Sequence, residues 1–206
     1  MISKLNRTLQ VRRMTTKDYD PIPAEIAEEV CDRVIEKMRE QGLGLIKDYS
    51  MRLLHADHYI QNYRQVDFLD GPEVIKRFTK AEQPYLFFIP LYSRLADSTA
   101  DKALQKYTWL GNGQAGVSLI DLDFNINFYR REWSKDEFIM FGETKMSKHK
   151  MLSVILHEFG HDLYGLGHHK RLIEKHCAMS LTTNTTHYCR SCKKKIRKLE
   201  ALMEKS

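Results

Sequence analysis

The segment 157–161, His-Glu-Phe-Gly-His, constrains the fold of this chain more than any other feature. It lies inside the strongest helical pattern of the sequence, in which apolar residues such as Met151 and Ile155 recur four positions apart. On a helix, side chains at this spacing lie one above the other, so His157 and His161 can both reach one ion. Imidazole nitrogens at this spacing suit tetrahedral Zn²⁺. The pattern therefore predicts a helix that carries a zinc site.

Glu158 lies one position after the first histidine, about 100° around the helix, so it does not compete as a ligand. It can instead contact a water in the open position of the metal. Zinc lowers the pKa of such a water to about 7, and the carboxylate takes the proton as the water attacks a carbonyl. The alternative is a chance occurrence of His-Glu-x-x-His. The helical context and the further possible ligands that follow favour zinc-dependent hydrolysis of peptide bonds, with Glu158 as the general base.

A third histidine follows a glycine that can end the helix with a positive φ. The segment 157–168 is similar to the metzincin pattern H-E-x-x-H-x-x-G-x-x-H, with one departure. Gly165 lies four positions after His161 where the pattern has three, and the interval from Gly165 to His168 is intact. One inserted residue before the turn explains the difference, and we predict His168 as the third ligand. His169 is the competing candidate.

Three of the four cysteines follow within sixteen residues, in the pattern Cys177-Ala178-Met179 and then Cys189-Arg190-Ser191-Cys192. With these residues the sequence resembles the archaemetzincins, whose signature continues from the third histidine with Cys, Cys-x-Met and Cys-x-x-Cys. The resemblance implies a metzincin-like zinc metallopeptidase, acting as an endopeptidase or an aminopeptidase. It also implies that Met179 forms the methionine turn beneath the zinc, although an ordinary core methionine is the alternative.

In that family four cysteines hold a second, structural zinc, and this chain matches three of them: Cys177, Cys189 and Cys192. His169 stands where the fourth cysteine is expected, and zinc accepts imidazole as readily as thiolate. The resemblance therefore implies two zinc ions, one catalytic and one structural. His176 and His187 remain alternatives for the fourth ligand.

The resemblance also extends upstream, where residues 111–121 look like the edge strand above the active-site cleft of the family. An extended peptide pairs with such a strand through backbone hydrogen bonds. The implied substrate-binding residues are Gln114, Ala115, Gly116, Val117 and Ser118. A glycine-rich connection without substrate contact is the alternative for this segment.

In the rest of the chain a helix, several strands and another helix follow in this order, which predicts an α/β or α+β domain. The resemblance to the metzincins implies that its sheet is mixed and twisted. Helices are predicted from about residue 26 to 38, from 147 to 164, and from 196 to 203. The predicted strands are Leu43–Ile46, Met51–Leu54, Tyr85–Ile89, Val117–Ile120 and Phe124–Phe128. Cys31 falls in the apolar stripe of the first helix, which favours a buried structural thiol. We expect a single domain over 1–206, with an N-terminal subdomain (about 1–164) and a small zinc-stabilised helical C-terminal subdomain (about 165–206).

The net charge of +6 is concentrated in the C-terminal tail, where residues 189–206 hold seven Lys or Arg against two Glu. A solvated helix face is the simpler explanation of these charges. The alternative function is a non-catalytic zinc-binding protein that attaches to nucleic acid through this tail. Without an apolar run for a membrane helix or a signal peptide, we expect a cytoplasmic monomer that acts on a peptide or protein substrate and has no membrane contact.

Overall fold

The computed structural model describes residues 8–63, 66–78, 84–89, 94–96, 111–114, 117–120, 138–141, 144–169, 176–180 and 185–203. Within these ranges the chain forms four α-helices and ten β-strands. The helices are α1 (Ala24–Glu40), α2 (Gly71–Phe78), α3 (Lys148–Asp162) and α4 (Arg190–Met203). The strands are β1 (Thr8–Thr15), β2 (Asp48–His55), β3 (Ile60–Tyr63), β4 (Val66–Asp70), β5 (Tyr85–Phe88), β6 (Arg94–Ala96), β7 (Gly111–Gln114), β8 (Val117–Ile120), β9 (Phe138–Phe141) and β10 (Thr144–Ser147). A short 3₁₀ helix spans Asp57–Tyr59.

Five of the strands form one mixed sheet in the order β2-β1-β5-β8-β7. Strands β2, β1, β5 and β8 run parallel to one another, and β7 pairs antiparallel with β8. Two smaller sheets consist of β9 with β10 and of β3, β4 and β6. The predicted α/β fold with a mixed sheet is confirmed.

Both faces of this sheet carry buried apolar side chains, because successive residues of a strand point to opposite sides. Leu86 and Phe88 of β5 belong to the larger core, which also contains the apolar faces of α1 and α3. Phe87 and Ile89 belong to a second core with Leu69 and residues of α2. Strand β5 therefore needs an almost unbroken apolar sequence, as predicted for residues 85–89.

Helix α3 packs against α1, β7, β8 and β10 and lies inside the larger core. Its residues from Met151 to Leu156 are all buried, so the helix is surrounded by protein along this part. The histidines that follow, His157 and His161, are half-buried. The residues between and after them, such as Phe159 and Leu163, are buried, so the two histidines form the partly exposed face of a helix that stays in the core.

The predictions for individual strands met different outcomes. Val117–Ile120 is β8, and Met51–Leu54 lies within β2. The prediction of a strand at Leu43–Ile46 is wrong, because the segment is irregular. The carboxylate of Glu200 accepts hydrogen bonds from the backbone N–H groups of Gly44 (3.1 Å) and Leu45 (2.9 Å). The predicted strand Phe124–Phe128 lies outside the described residues. Strand β1 was not predicted at all.

The C-terminal helix is anchored on the end of α1 by polar contacts. Arg197 donates to the carbonyl oxygen of Gln41 (2.9 Å). The buried amide of Gln41 donates to the carbonyl of Thr186 (3.0 Å) and accepts from the N–H of Tyr188 (2.7 Å). Ile196 and Cys192 of α4 are part of the larger core, so the C-terminal segment shares its core with the sheet. The division into two subdomains stays a prediction.

Within the described ranges, none of the helices combines the length and the apolar character that spanning a bilayer requires.

Candidate metal sites

Three histidines converge at the C-terminal end of α3. The Nε2 atoms of His157 and His161 are 3.2 Å apart, and the Nε2 atom of His168 lies 3.0 Å from the first and 2.9 Å from the second. Two nitrogens bound to one tetrahedral zinc at ordinary Zn–N lengths are separated by about 3.3 Å. The three nitrogens therefore have the spacing of one face of a tetrahedral zinc site.

The other nitrogen of two of these rings is held by a backbone carbonyl. His157 Nδ1 lies 2.6 Å from the carbonyl oxygen of Ala178, and His161 Nδ1 lies 2.6 Å from that of Leu166. A carbonyl can only accept, so each Nδ1 carries the proton and each Nε2 presents a lone pair. Such contacts to the second ring nitrogen fix the orientation of a metal-binding histidine.

The turn that brings His168 back is closed by Gly165, which has φ +59°. Its N–H donates to the carbonyl of His161 (3.0 Å), and the N–H of Leu166 donates to that of Gly160 (2.8 Å). The first bond is the usual closure of a helix by a left-handed residue, while the second spans six residues. The turn thus accommodates the extra residue before Gly165 and still places His168 beside the other two histidines.

A second group contains the three clustered cysteines and a histidine. Cys177 Sγ and Cys192 Sγ are 3.8 Å apart, and His169 Nε2 lies 3.5 Å from Cys189 Sγ and 3.3 Å from Cys192 Sγ. Around one tetrahedral zinc, two sulfurs are about 3.8 Å apart, and a sulfur and a nitrogen are about 3.5 Å apart. These four side chains also fit a zinc ion.

Within the described ranges, the side chains that could hold a metal ion fall into these two groups. The structure places His168 with the first group and His169 with the second. The two alternatives for the fourth member, His176 and His187, belong to neither group. Cys31 is fully buried in α1, and burial together with Asp32 raises the pKa of its thiol.

Glu158 is 8% exposed, and burial raises the pKa of its carboxyl from 4.5 to about 8, with a smaller contribution from Asp162 one helical turn later. Burial also lowers the pKa of His168, with a contribution from His161.

In the second group, the hydrogen bond with Cys192 lowers the pKa of Cys177 to about 4, and the N–H of Cys189 donates to the same sulfur. The same hydrogen bond raises the pKa of Cys192, with a further contribution from burial. Neutral imidazoles and a thiolate are the forms that bind zinc.

Met179 is completely buried against the helix that carries the histidines. A Cβ atom on Gly160 would lie 2.1 Å from Met179 Sδ, 3.1 Å from Met179 Cε and 3.3 Å from Tyr188 Cε1. Tyr188 is also buried, and its hydroxyl donates to the carbonyl of Leu156. Gly160 is therefore a position of close approach between α3 and residues 176–180, here called the methionine segment. The sequence analysis did not assign a role to Gly160 or Tyr188, although a glycine inside a helical pattern often marks a close approach.

The segment implied to bind substrate lies on two strands. Gln114 ends β7, and Val117 and Ser118 begin β8. Ala115 and Gly116 lie outside the described residues. Strand β8 pairs with β5 on one side and with β7 on the other, whereas β7 ends the five-stranded sheet formed by the described strands. Both strands pack against α3.

Comparison with known proteins supports this architecture. No protein-family model matches the sequence, and no curated protein matches it either. The structure is similar to the crystal structure of archaemetzincin from Methanopyrus kandleri, with a TM-score of 0.56 and 14% sequence identity. The match covers 95% of this chain and 97% of that chain. The chain therefore has an archaemetzincin-like fold.

Proposed function

We propose that this protein is a zinc-dependent metallopeptidase whose catalytic zinc is bound by His157, His161 and His168. The observation that carries the proposal is the convergence of three Nε2 atoms within 3.2 Å of one another, with two of the rings oriented by backbone carbonyls. Three neutral imidazoles leave the fourth position of a tetrahedral ion open, as in catalytic zinc sites.

Zinc at this position supplies a water of lowered pKa and polarises a carbonyl oxygen. Glu158 follows the first histidine on α3 and has the carboxyl that can hold a proton at this site. Burial makes its ionised form costly in the metal-free protein, and a neighbouring cation reverses this effect. Glu158 then accepts a proton from the attacking water and returns it to the departing amine.

Cys177, Cys189, Cys192 and His169 are proposed to hold a second zinc with a structural role. All four positions are filled by protein side chains, which is typical of structural rather than catalytic zinc. Met179 is proposed as the methionine turn, since it packs under the helix at Gly160. A substrate peptide is proposed to pair with β7, whose last residue is Gln114. Strand β8 already has partners on both sides.

The proposal is tested by metal analysis and peptide cleavage on native and substituted protein. Native mass spectrometry of protein purified without added metal should find two zinc ions per chain. His157→Ala should lose one of them together with cleavage. Glu158→Ala should keep both ions and lose cleavage by at least about 100-fold, because the carboxylate acts on water and not on the metal.

Glu36→Ala, an exposed change on α1, serves as the control and should cleave at the native rate. Peptides with a free and with an acetylated N-terminus separate an aminopeptidase from an endopeptidase. Native turnover by Glu158→Ala would refute the mechanism, and folded native protein without zinc would refute the metal sites.

Attachment to nucleic acid through α4 remains a second proposal. Its support is that Arg190, Lys193, Lys194 and Arg197 surround one shallow cavity on the surface of the helix. A phosphate backbone is the chemistry that such a cluster of cations attracts.

A further inference from the structure

We propose that the Cys177–Cys189–Cys192–His169 cluster is a positioning site for the histidines of the proposed catalytic centre, so that loss of metal from the cluster weakens metal binding by the histidines. This inference rests on the proposed function and extends it. It is distinct from a purely structural role, in which the cluster would stabilise the fold without changing the affinity of the histidines.

The first link between the two groups is the peptide bond between His168 and His169. Consecutive Cα atoms are separated by about 3.8 Å, so two adjacent residues that bind different ions hold each other in place. His168 Nε2 lies 2.9 Å from His161 Nε2, while His169 Nε2 lies 3.3 Å from Cys192 Sγ. A shift of the backbone at one of these residues therefore displaces the backbone of the other.

The second link runs through another pair of adjacent residues, Cys177 and Ala178. Cys177 belongs to the cluster, and the carbonyl of Ala178 holds the proton-bearing nitrogen of His157 at 2.6 Å. The N–H of Cys189 donates to Cys177 Sγ (3.2 Å), and the N–H of Ala178 donates to the carbonyl of His187 (2.7 Å). The backbone that orients His157 is thus directly bonded to a residue of the cluster, Cys177, and is held from the other side by the carbonyl of His187.

A third contact closes the arrangement, because the N–H of His169 donates to the carbonyl of Met179 (3.1 Å). In the turn before it, Leu166 is buried in the larger core, whereas the residues around Leu166 have little packing of their own. Gly165, Gly167 and His168 are exposed, and a Cβ atom at either glycine would meet no other atom within 4 Å. His168 therefore lies between two anchored residues, Leu166 on one side and His169 on the other, and the cluster holds the second of them.

Cobalt(II) titration tests the coupling, since thiolate-bound cobalt has an intense near-ultraviolet charge-transfer band that cobalt bound by three imidazoles lacks. The two sites can be followed separately in one sample, and competition with a chelator measures the affinity of the histidine site. Cys189→Ser removes one partly exposed ligand of the cluster. We expect this change to weaken cobalt binding at the histidines by about 10–100-fold, the effect typical of losing an outer contact of a metal ligand.

Two further variants separate positioning from general destabilisation. Cys189→His keeps four ligands in the cluster and should restore most of the affinity, since two thiolates and two imidazoles also bind zinc. Cys31→Ser makes the same thiol-to-hydroxyl change in the core, away from both groups, and should leave the affinity unchanged in folded protein. If Cys189→Ser does not fold, His169→Gln removes the imidazole ligand of the cluster instead, and the cobalt affinity of the histidines is measured in the same way.

Native affinity at the histidines in folded Cys189→Ser would overturn the coupling and leave the proposed function intact. A comparable loss in Cys31→Ser would also overturn it, because the effect would then follow from destabilisation. Native protein that binds no cobalt at the histidines would refute the proposed function, and the coupling with it.

Discussion

Replacing Gly160 by alanine tests the close approach between α3 and the methionine segment. The new Cβ atom would lie 2.1 Å from Met179 Sδ, whereas ordinary contacts begin at 3.4 Å, so the sulfur has to move by more than 1 Å. Met179 is fully buried and Tyr188 Cε1 lies 3.3 Å from the same Cβ position, which leaves little room for that movement. Overpacking of this kind costs roughly 1–3 kcal/mol, and this contact belongs at the upper end.

One further term sets the expected change in stability. Alanine is favoured over glycine inside a helix by about 1 kcal/mol, which offsets part of the clash. We therefore expect Gly160→Ala to lower the free energy of unfolding by about 2 kcal/mol, which is roughly 4–8 °C in melting temperature for a domain of this size. Because Met179 adjoins the carbonyl that orients His157, zinc affinity at the histidines should also fall, by about tenfold.

The assay is urea unfolding followed by circular dichroism, together with zinc competition against a chelator. Gly44→Ala is the matched control, because no atom lies within 4 Å of its Cβ position, and it should change stability by less than about 0.5 kcal/mol. Met179→Ala should lower the free energy of unfolding less in the Gly160→Ala variant than in the native protein, because the smaller side chain makes room for the new Cβ. Equal stabilities of the two single glycine variants would refute the packing.

Two more predictions concern pH and the basic helix. Burial raises the pKa of Glu158 to about 8, so the folded protein binds this proton more tightly than the unfolded chain, and metal-free protein should lose stability as pH rises from about 4.5 to 8. Glu158→Gln should remove this loss of unfolding free energy, which is on the order of a few kcal/mol. Urea unfolding in EDTA should therefore find the variant more stable than the native protein at pH 8.5 and similar to it at pH 4.5. The same dependence of stability on pH in both proteins would contradict this prediction. If α4 binds phosphate backbones, the native protein should bind nonspecific DNA more weakly at 200 mM than at 50 mM salt. The double substitution Lys193→Ala and Lys194→Ala should make the affinity depend less steeply on salt concentration. Undetectable binding at both salt concentrations would exclude the nucleic-acid function.

Prediction from the sequence was most successful for features that the spacing of residues within one helix or one strand defines. The i, i+4 spacing of His157 and His161 defines one helix face regardless of the rest of the chain, and the apolar run at 85–89 permits a strand buried on both faces. These features depend on the geometry of one helix or one strand. The same local information misassigned Leu43–Ile46, because its backbone N–H groups are satisfied by Glu200, more than 150 positions away in the sequence.

Strand β1 shows why another part could not be predicted. Arg12 and Arg13 interrupt the alternation of apolar residues, yet the strand lies between β2 and β5 in the sheet. Arg12 lies over the ring of Tyr85 at 5.4 Å, and Arg13 donates to the carbonyl of Ile22 at 2.8 Å. Long charged side chains can occupy a strand inside a sheet when residues distant in the sequence contact their charged ends. Those residues are identified only in the folded chain.

The sequence by itself determined which chemistry is available: two histidines and a glutamate on one helix, a third histidine after a glycine, and three cysteines near a methionine. Only the tertiary structure decided how these residues are divided. The interval from Gly165 favours His168 as the third ligand and leaves His169 as its competitor, and which ring joins which group depends on how the turn at Gly165 closes. The carbonyl oxygens of Ala178 and Leu166, which hold the rings of His157 and His161, are backbone atoms, so the residue types do not predict their role. The position of Ala178 follows from the packing of Met179 under α3, and that of Leu166 follows from the turn at Gly165.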